Sequence, residues 1–323
     1  MSFASLVSLP QRNSWKVSGE LREVLYWPCT SGRPLAVLLL IPGNPGPIDL
    51  YINFCNELHA QFPRDLDIIG TSHLGHSLFS DNRGQQHRST KTYGLEDQVR
   101  NMLEMFDQID QTYTHRPRML LCGHSVGSYL AQRVFAERTD RVDRVFSLFP
   151  AIDRIADTPR GKQFRFLFWP GVRQLVSATI DVVRWILPTQ AIFRFAMMSK
   201  SLGESDTQVV VDKMLHGVCI NNILKMAVDE MKVIVQVDEE LYRQEGAKFV
   251  MYYGTDDMWV PKDRYATMCD INTKGIVRLC SDGISHAFVT THSAEMARIM
   301  AEMLTHDKLA AEIEKGLEPP AAS

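Results

Sequence analysis

Along the chain, short apolar runs alternate with segments of helical period. Leu35–Ile41 is continuously apolar, as a central strand of a parallel sheet must be when both of its faces are covered. Leu66–Thr71, Met119–Cys122, Val142–Phe149, Lys248–Tyr253 and Gly275–Cys280 read as further strands. Tyr93–Asp110, the stretch from Tyr129 to Phe135 and Thr290–Leu304 carry their apolar residues at helical spacing instead. Repetition of strand then helix predicts an α/β fold built on one mostly parallel, doubly wound sheet. Glu20–Trp27 reads as one strand of an opening antiparallel hairpin, and Ser72–Gly84 as a loop.

One interval breaks the rhythm. Val142–Phe149 and Lys248–Tyr253 stand roughly a hundred residues apart, far more than a simple crossover needs. The excess, 153–240, is expected to be a cap inserted over the C-terminal edge of the strands. The core would then be 1–152 and 241–305, and 306–323 a flexible tail.

The densest chemistry lies in Met119–Leu130, MLLCGHSVGSYL. An apolar strand enters Gly123-His124-Ser125-Val126-Gly127 and leaves as a helix, which is the G-x-S-x-G nucleophile elbow of a serine hydrolase. The geometry explains the residue types. Ser125 must occupy a strained turn that pushes its Oγ into the open. Side chains at Gly123 or Gly127 would collide with neighbouring elements. The turn also sets Ser125 at a helix N-terminus, where the Val126 N–H is free to hold a developing oxyanion. A bare G-x-S-x-G arises often by chance, so the downstream partners carry weight.

In this fold the acid and the histidine follow the serine in that order. Lys248–Tyr253 runs into Gly254-Thr255-Asp256-Asp257-Met258-Trp259-Val260-Pro261, and a carboxylate just past a strand end faces the same crevice as the elbow. Asp257 is the first candidate and Asp256 the fallback, with ordinary turn chemistry as the bland alternative. Gly275–Cys280 leads through Ser281–Ser285 to His286 on a loop before the last helix. From there an imidazole reaches Ser125 Oγ as general base, with Asp257 fixing its tautomer. His124, inside the elbow, is expected to face away. The second oxyanion donor should follow Leu35–Ile41, in Pro42-Gly43-Asn44-Pro45-Gly46. Asn44 N–H is the candidate because Pro45 has none; a tight loop without chemistry is the alternative. His73 and His76 either line the mouth of the site or pack their loop.

The core resembles an α/β-hydrolase. Ile41-Pro42-Gly43-Asn44-Pro45-Gly46 followed by Tyr51, Ser72-His73-Leu74-Gly75-His76 and the elbow together resemble the lipid droplet-associated hydrolase family, from about residue 20 to 305. The elbow is common to a superfamily; the Pro-Gly-Asn-Pro-Gly loop is narrower, since most relatives carry a His-Gly pair there. The resemblance implies an α/β-hydrolase fold, Ser125 as nucleophile with Asp257 and His286, and action on lipid or sterol esters. It also implies association with lipid droplets and the endoplasmic reticulum.

Composition narrows this little. With 323 residues, 45% of them hydrophobic, the chain can bury one large core. A net charge of −3 gives no sign of nucleic-acid binding. Six singly scattered cysteines suit buried thiols better than disulfides or a metal site, and no metal or cofactor is implied. The N-terminal stretch lacks the pattern of a secretory signal.

The first half of the expected cap, about 160–200, interleaves aromatic and basic residues. Phe164, Phe166, Phe168, Trp169, Trp185, Phe193 and Phe195 stand among Arg160, Lys162, Arg165, Arg173, Arg184, Arg194 and Lys200, with Asp181 as the single acid. A helix over Gly171–Leu187, bracketed by Pro170 and Pro188, and a second over Ala191–Lys200 suit a surface that dips into a lipid interface, with Phe166, Trp169, Trp185 and Phe193 as its expected contacts. No stretch is long enough to span a bilayer. Aromatics that simply pack the cap on the core are the alternative. The sequence therefore points to a peripherally held lipid-ester hydrolase on the cytosolic face of droplets and reticulum. A droplet-tethering scaffold with little turnover and a small-molecule esterase or thioesterase are the competing readings.

Overall fold

The computed structural model describes residues 10–17, 19–81 and 83–306; the expected tail lies outside them from residue 307 onward. The chain opens with β1 (Gln11–Val17) and β2 (Glu20–Trp27), an antiparallel hairpin. β3 (Ala36–Ile41), α1 (Ile52–Gln61) and β4 (Leu66–Thr71) follow. The stretch expected as a loop, Ser72–Gly84, contains β5 (Phe79–Ser80), which pairs in a small ribbon with β6 (Gln86–His87) just beyond it. Next come α2 (Leu95–Thr112), β7 (Arg118–His124), α3 (Val126–Glu137) and β8 (Val142–Leu148). The long interval is helical: α4 (Pro159–Gln163), α5 (Val172–Ile186), α6 (Thr189–Met198), α7 (Glu204–Val209), α8 (Gly217–Val233) and α9 (Glu239–Glu245). β9 (Phe249–Tyr253), α10 (Lys262–Ile271), β10 (Ile276–Leu279), α11 (Phe288–Thr291) and α12 (Ser293–His306) complete the fold. The single helix expected at Thr290–Leu304 is thus two, with the chain turning at His292.

Eight strands form one sheet in the order β1-β2-β4-β3-β7-β8-β9-β10. Pairing is antiparallel at β1/β2 and β2/β4 and parallel from β4 to β10. All six residues of β3 are buried, and the two-residue period sorts them. Val37, Leu39 and Ile41 meet α2 and α3 through residues such as Val99, Met102, Leu130 and Val134. Ala36, Leu38 and Leu40 meet α1 and α12 through Phe54, Leu58, Met296 and Met300. Helices on both faces are the reason for a strand with no polar alternation.

Register places the functional loops. Ile41 pairs with Gly123, so the chain leaving β3 and the chain leaving β7 emerge side by side. Leu148 pairs with Tyr252, and Tyr253 with Leu279, which brings the loops after β9 and β10 to the same edge. That edge is where ligands meet an open parallel sheet.

The helical interval packs over it. α8 supplies Met226 and Met231 to the core on the α2/α3 side, and Asp229 accepts the Leu95 N–H at 3.1 Å at the start of α2. Asn222 accepts the Tyr93 N–H at 2.7 Å. Lys213, between α7 and α8, bridges Glu23 and Asp49 at 3.0 and 2.8 Å.

Candidate active site

Ser125 links β7 to α3 with φ 54° and ψ −123°, a conformation that L residues avoid. Three backbone hydrogen bonds hold it there. Ser125 N–H donates to Leu148 O at 2.9 Å, and Ser125 O accepts from Ser128 N–H at 3.0 Å and Ala151 N–H at 3.1 Å. The flanking glycines are required by close approach. A Cβ at Gly123 would run into the Gly127 carbonyl, and one at Gly127 into the carbonyls of Ile41 and Pro42. Val126 is the first residue of α3, so its N–H has no partner within the helix.

The serine, histidine and aspartate singled out in the sequence are brought together. His286 Nε2 lies 2.9 Å from Ser125 Oγ, and His286 Nδ1 lies 2.6 Å from Asp257 Oδ2. Asp257 is buried, and its other oxygen accepts the N–H groups of Trp259 at 2.7 Å and Val260 at 2.9 Å. The carboxylate is thus oriented by its own turn while one oxygen remains for the imidazole. Asp256 is exposed and makes no such contact.

The Pro42–Gly46 loop lies against the elbow, with the Cβ position of Gly43 only 3.0 Å from Ser125 Cβ. Gly43 N–H is engaged, donating to Tyr51 Oη at 2.8 Å. Asn44, the next residue, points its side chain the other way: Nδ2 donates to Ile223 O at 3.1 Å and to Glu230 Oε1 at 2.8 Å on α8. Burial pushes the Glu230 carboxyl up to about 8. His73 and His76 are both buried and grip this loop from behind. His73 Nε2–H donates to Pro42 O at 2.9 Å and His76 Nδ1–H to Pro45 O at 2.7 Å. Desolvation lowers the pKa of both, that of His76 to about 4, so both rings are neutral donors that shape the loop.

The side chains expected at a lipid surface divide. Phe166 and Trp169 are exposed, Trp185 is 86% exposed, and Phe193 is half-buried. Its neighbour Phe195 is 77% exposed, and Leu175, Val182, Ile186 and Met198 also face outward. α5 carries apolar residues on both sides, with Val172, Val176, Ile180 and Val183 half-buried. Asp181 accepts the Gly217 N–H at 2.8 Å and Arg184 donates to Val211 O at 2.8 Å, while Leu175, Val182, Trp185 and Ile186 form one outward stripe. Among the described residues, no helix is long and apolar enough to cross a membrane.

Sequence reasoning missed Glu230 and the partners of Tyr51, and it counted Phe195 among the aromatics of the segment without naming it a contact. Tyr51 was visible as part of a motif. Glu230 has no local signal, because its partner lies 186 positions earlier in the chain.

A mostly parallel sheet carrying a serine on a strained strand-to-helix turn, with acid and histidine on later strand ends, defines an α/β-hydrolase fold. Solved structures share it. A bacterial membrane phospholipase A aligns with TM-score 0.66 at 14% identity, covering 94% of this chain and 88% of that one. A haloalkane dehalogenase variant from Bradyrhizobium elkanii aligns with TM-score 0.66 at 16% identity, covering 94% and 99%. Within that fold the chain belongs to the lipid-droplet associated hydrolase family, whose model matches residues 34–289. Proteins called lipid droplet-associated hydrolase are similar to it: that of Homo sapiens at 28% identity, covering 85% of this chain and 86% of the relative, and that of Gallus gallus at 30% with the same coverage. The Dictyostelium discoideum relative is 26% identical, covering 90% and 94%.

Proposed function

We propose that this hydrolase cleaves carboxylic esters of lipids through an acyl-enzyme on Ser125, working at the surface of lipid droplets. The observation that supports this most is the unbroken hydrogen-bonded line from Asp257 through His286 to Ser125 Oγ. Ser125 Oγ attacks the ester carbonyl as His286 Nε2 takes its proton, and Asp257 stabilises the imidazolium that results. The carbonyl oxygen becomes an oxyanion facing the N–H groups of Val126 and Asn44. The alcohol leaves with the proton from His286. Water, activated by the same imidazole, then releases the acid.

Residues 153–240 act as the cap in this reading, and about 160–200 as its lipid-facing part. The outward stripe on α5 supports lipid contact, because large apolar residues face water there while Asp181 and Arg184 are engaged with protein. Phe166, Trp169, Trp185 and Phe193, joined by Phe195, are the proposed contacts. The relatives' names support the droplet as the surface, and the endoplasmic reticulum is the other membrane proposed. The substrate class proposed is a sterol ester or an acylglycerol.

The test is labelling of purified protein with a fluorophosphonate, followed by a panel of lipid esters presented on droplets. Labelling of wild type that is lost in Ser125→Ala, with turnover of long-chain esters, supports the reading. A folded wild type that is not labelled would overturn it and leave droplet binding, carried by the α5 stripe, as the function.

A further inference from the structure

Two side chains at the site take no part in the chemistry above, yet they connect its two halves. Tyr51 Oη receives the Gly43 N–H at 2.8 Å and lies 2.6 Å from His124 Nδ1. His124 Nε2 lies 2.9 Å from the backbone carbonyl of His286. Gly43, Tyr51 and His124 are buried, with His124 ringed by Phe149 and Phe288 at 6.3 and 4.8 Å between ring centres. The chain thus runs from the oxyanion loop, through the elbow, to the loop that carries the base.

Proton positions follow from counting donors. A backbone carbonyl only accepts, so His124 Nε2 must carry a hydrogen. An uncharged ring then leaves Nδ1 bare, and Nδ1 accepts from Tyr51. Tyr51 has one proton to give and an acceptor lone pair for Gly43. Every donor is matched in a single direction: Gly43 N–H to Tyr51 Oη–H, to His124 Nδ1, and His124 Nε2–H to His286 O. Burial and the neighbouring His286 hold His124 neutral, its pKa well below the ordinary histidine value. A charged His124 would repel the imidazolium that forms on His286, whose ring centre is 5.3 Å away.

We propose that Tyr51 and His124 are positioning residues, a relay that sets the oxyanion loop and the base loop at a common distance from Ser125. By engaging Gly43 N–H, the relay leaves Asn44 N–H as the donor of that loop that can turn toward an oxyanion. By holding His286 at its backbone, it lets the ring pivot between Ser125 and the leaving group without the loop moving. The proposal rests on the reading of Ser125 and His286 as nucleophile and base.

The test uses the full chain and four variants: Tyr51→Phe, His124→Asn, the double variant and His124→Gln. The asparagine replaces only the Nδ1 acceptor, whereas the glutamine keeps an amide N–H near the position of Nε2. Fluorophosphonate labelling and ester turnover should each fall about 10- to 100-fold in Tyr51→Phe and His124→Asn, in kcat with KM little changed. The double variant should be no worse than the poorer single one, since both cut the same chain. His124→Gln, which keeps the contact with His286 O but offers Tyr51 no acceptor, should fall as Tyr51→Phe does. Unchanged rates in both single variants, or losses that multiply in the double one, would overturn the relay. So would a wild type in which nitrogen NMR finds His124 protonated at Nδ1, a measurement that needs no variant to fold. A wild type that fails to label at Ser125 removes the underlying reading, and the relay with it; slow variants of a labelled wild type separate the two.

Discussion

Ser125 holds a backbone conformation that costs on the order of 1–3 kcal/mol, and its three backbone hydrogen bonds are what make it tolerable. The strain has a geometric return: Oγ stands clear of the sheet, 2.9 Å from the imidazole. The adjacent aspartates show how fine the selection is. Both follow β9 within a few residues, but only Asp257 is buried and held by two N–H groups of its own turn. Asp257→Asn should therefore lower kcat by about 10⁴-fold, because the amide would favour the wrong imidazole tautomer. Asp256→Asn should leave kcat within about twofold, as expected of an exposed side chain without a partner. Steady-state hydrolysis of a chromogenic ester by the two variants measures both. Comparable losses would mean that Asp256 shares the role.

At the scale of elements, α5 and α6 stand apart because each turns large apolar side chains outward as well as inward. An amphipathic helix ordinarily turns only its polar side to water, whereas on α5 Asp181 and Arg184 hold the neighbouring chain and Trp185 meets solvent. Burying two large apolar side chains in a lipid surface is worth about 3 kcal/mol or more. Trp185→Glu with Phe195→Glu should accordingly reduce partition onto triolein droplets by about 100-fold or more, read by flotation, while fluorophosphonate labelling in solution stays near wild type. Phe193→Glu differs, since that ring is half-buried: it should lower the unfolding midpoint as well. Retained flotation of the double variant would sink the assignment of this face to lipid.

The whole molecule is tied together by contacts between the helical interval and the loops of the sheet. Asn44 and Glu230 form one such contact, and it carries a proton. Glu230 has its pKa raised from 4.5 to about 8, by burial first and by Asp229 as well. The folded state thus binds this proton more tightly than the unfolded chain does. Its contribution to stability is complete below about pH 4.5 and is lost as pH climbs toward about 8. Glu230→Gln keeps an uncharged group at the site and should remove that slope. Unfolding free energies from denaturant titrations between pH 5 and pH 8.5 are expected to fall more steeply in wild type than in the variant, by more than about 1.4 kcal/mol in total. Parallel profiles would place the proton elsewhere.

The sequence by itself determined what depends on local chemistry and period. Strands without polar alternation implied a sheet covered on both faces, and a serine between glycines at a strand-to-helix junction implied the strained turn. Strand ends followed by Asp256-Asp257 and His286 were enough to nominate partners, because parallel strands deliver their C-terminal ends to one edge. Only the tertiary structure decided what depends on distant groups meeting. It distinguished Asp257 from Asp256 through the imidazole 29 positions away, and it turned His124 from an idle elbow residue into a donor to the His286 backbone. It also made His73 and His76 the grip on Pro42 and Pro45 and set Phe195 outward where Phe193 turns in. Such outcomes rest on directions of side chains within a packed fold, which neither period nor spacing encodes.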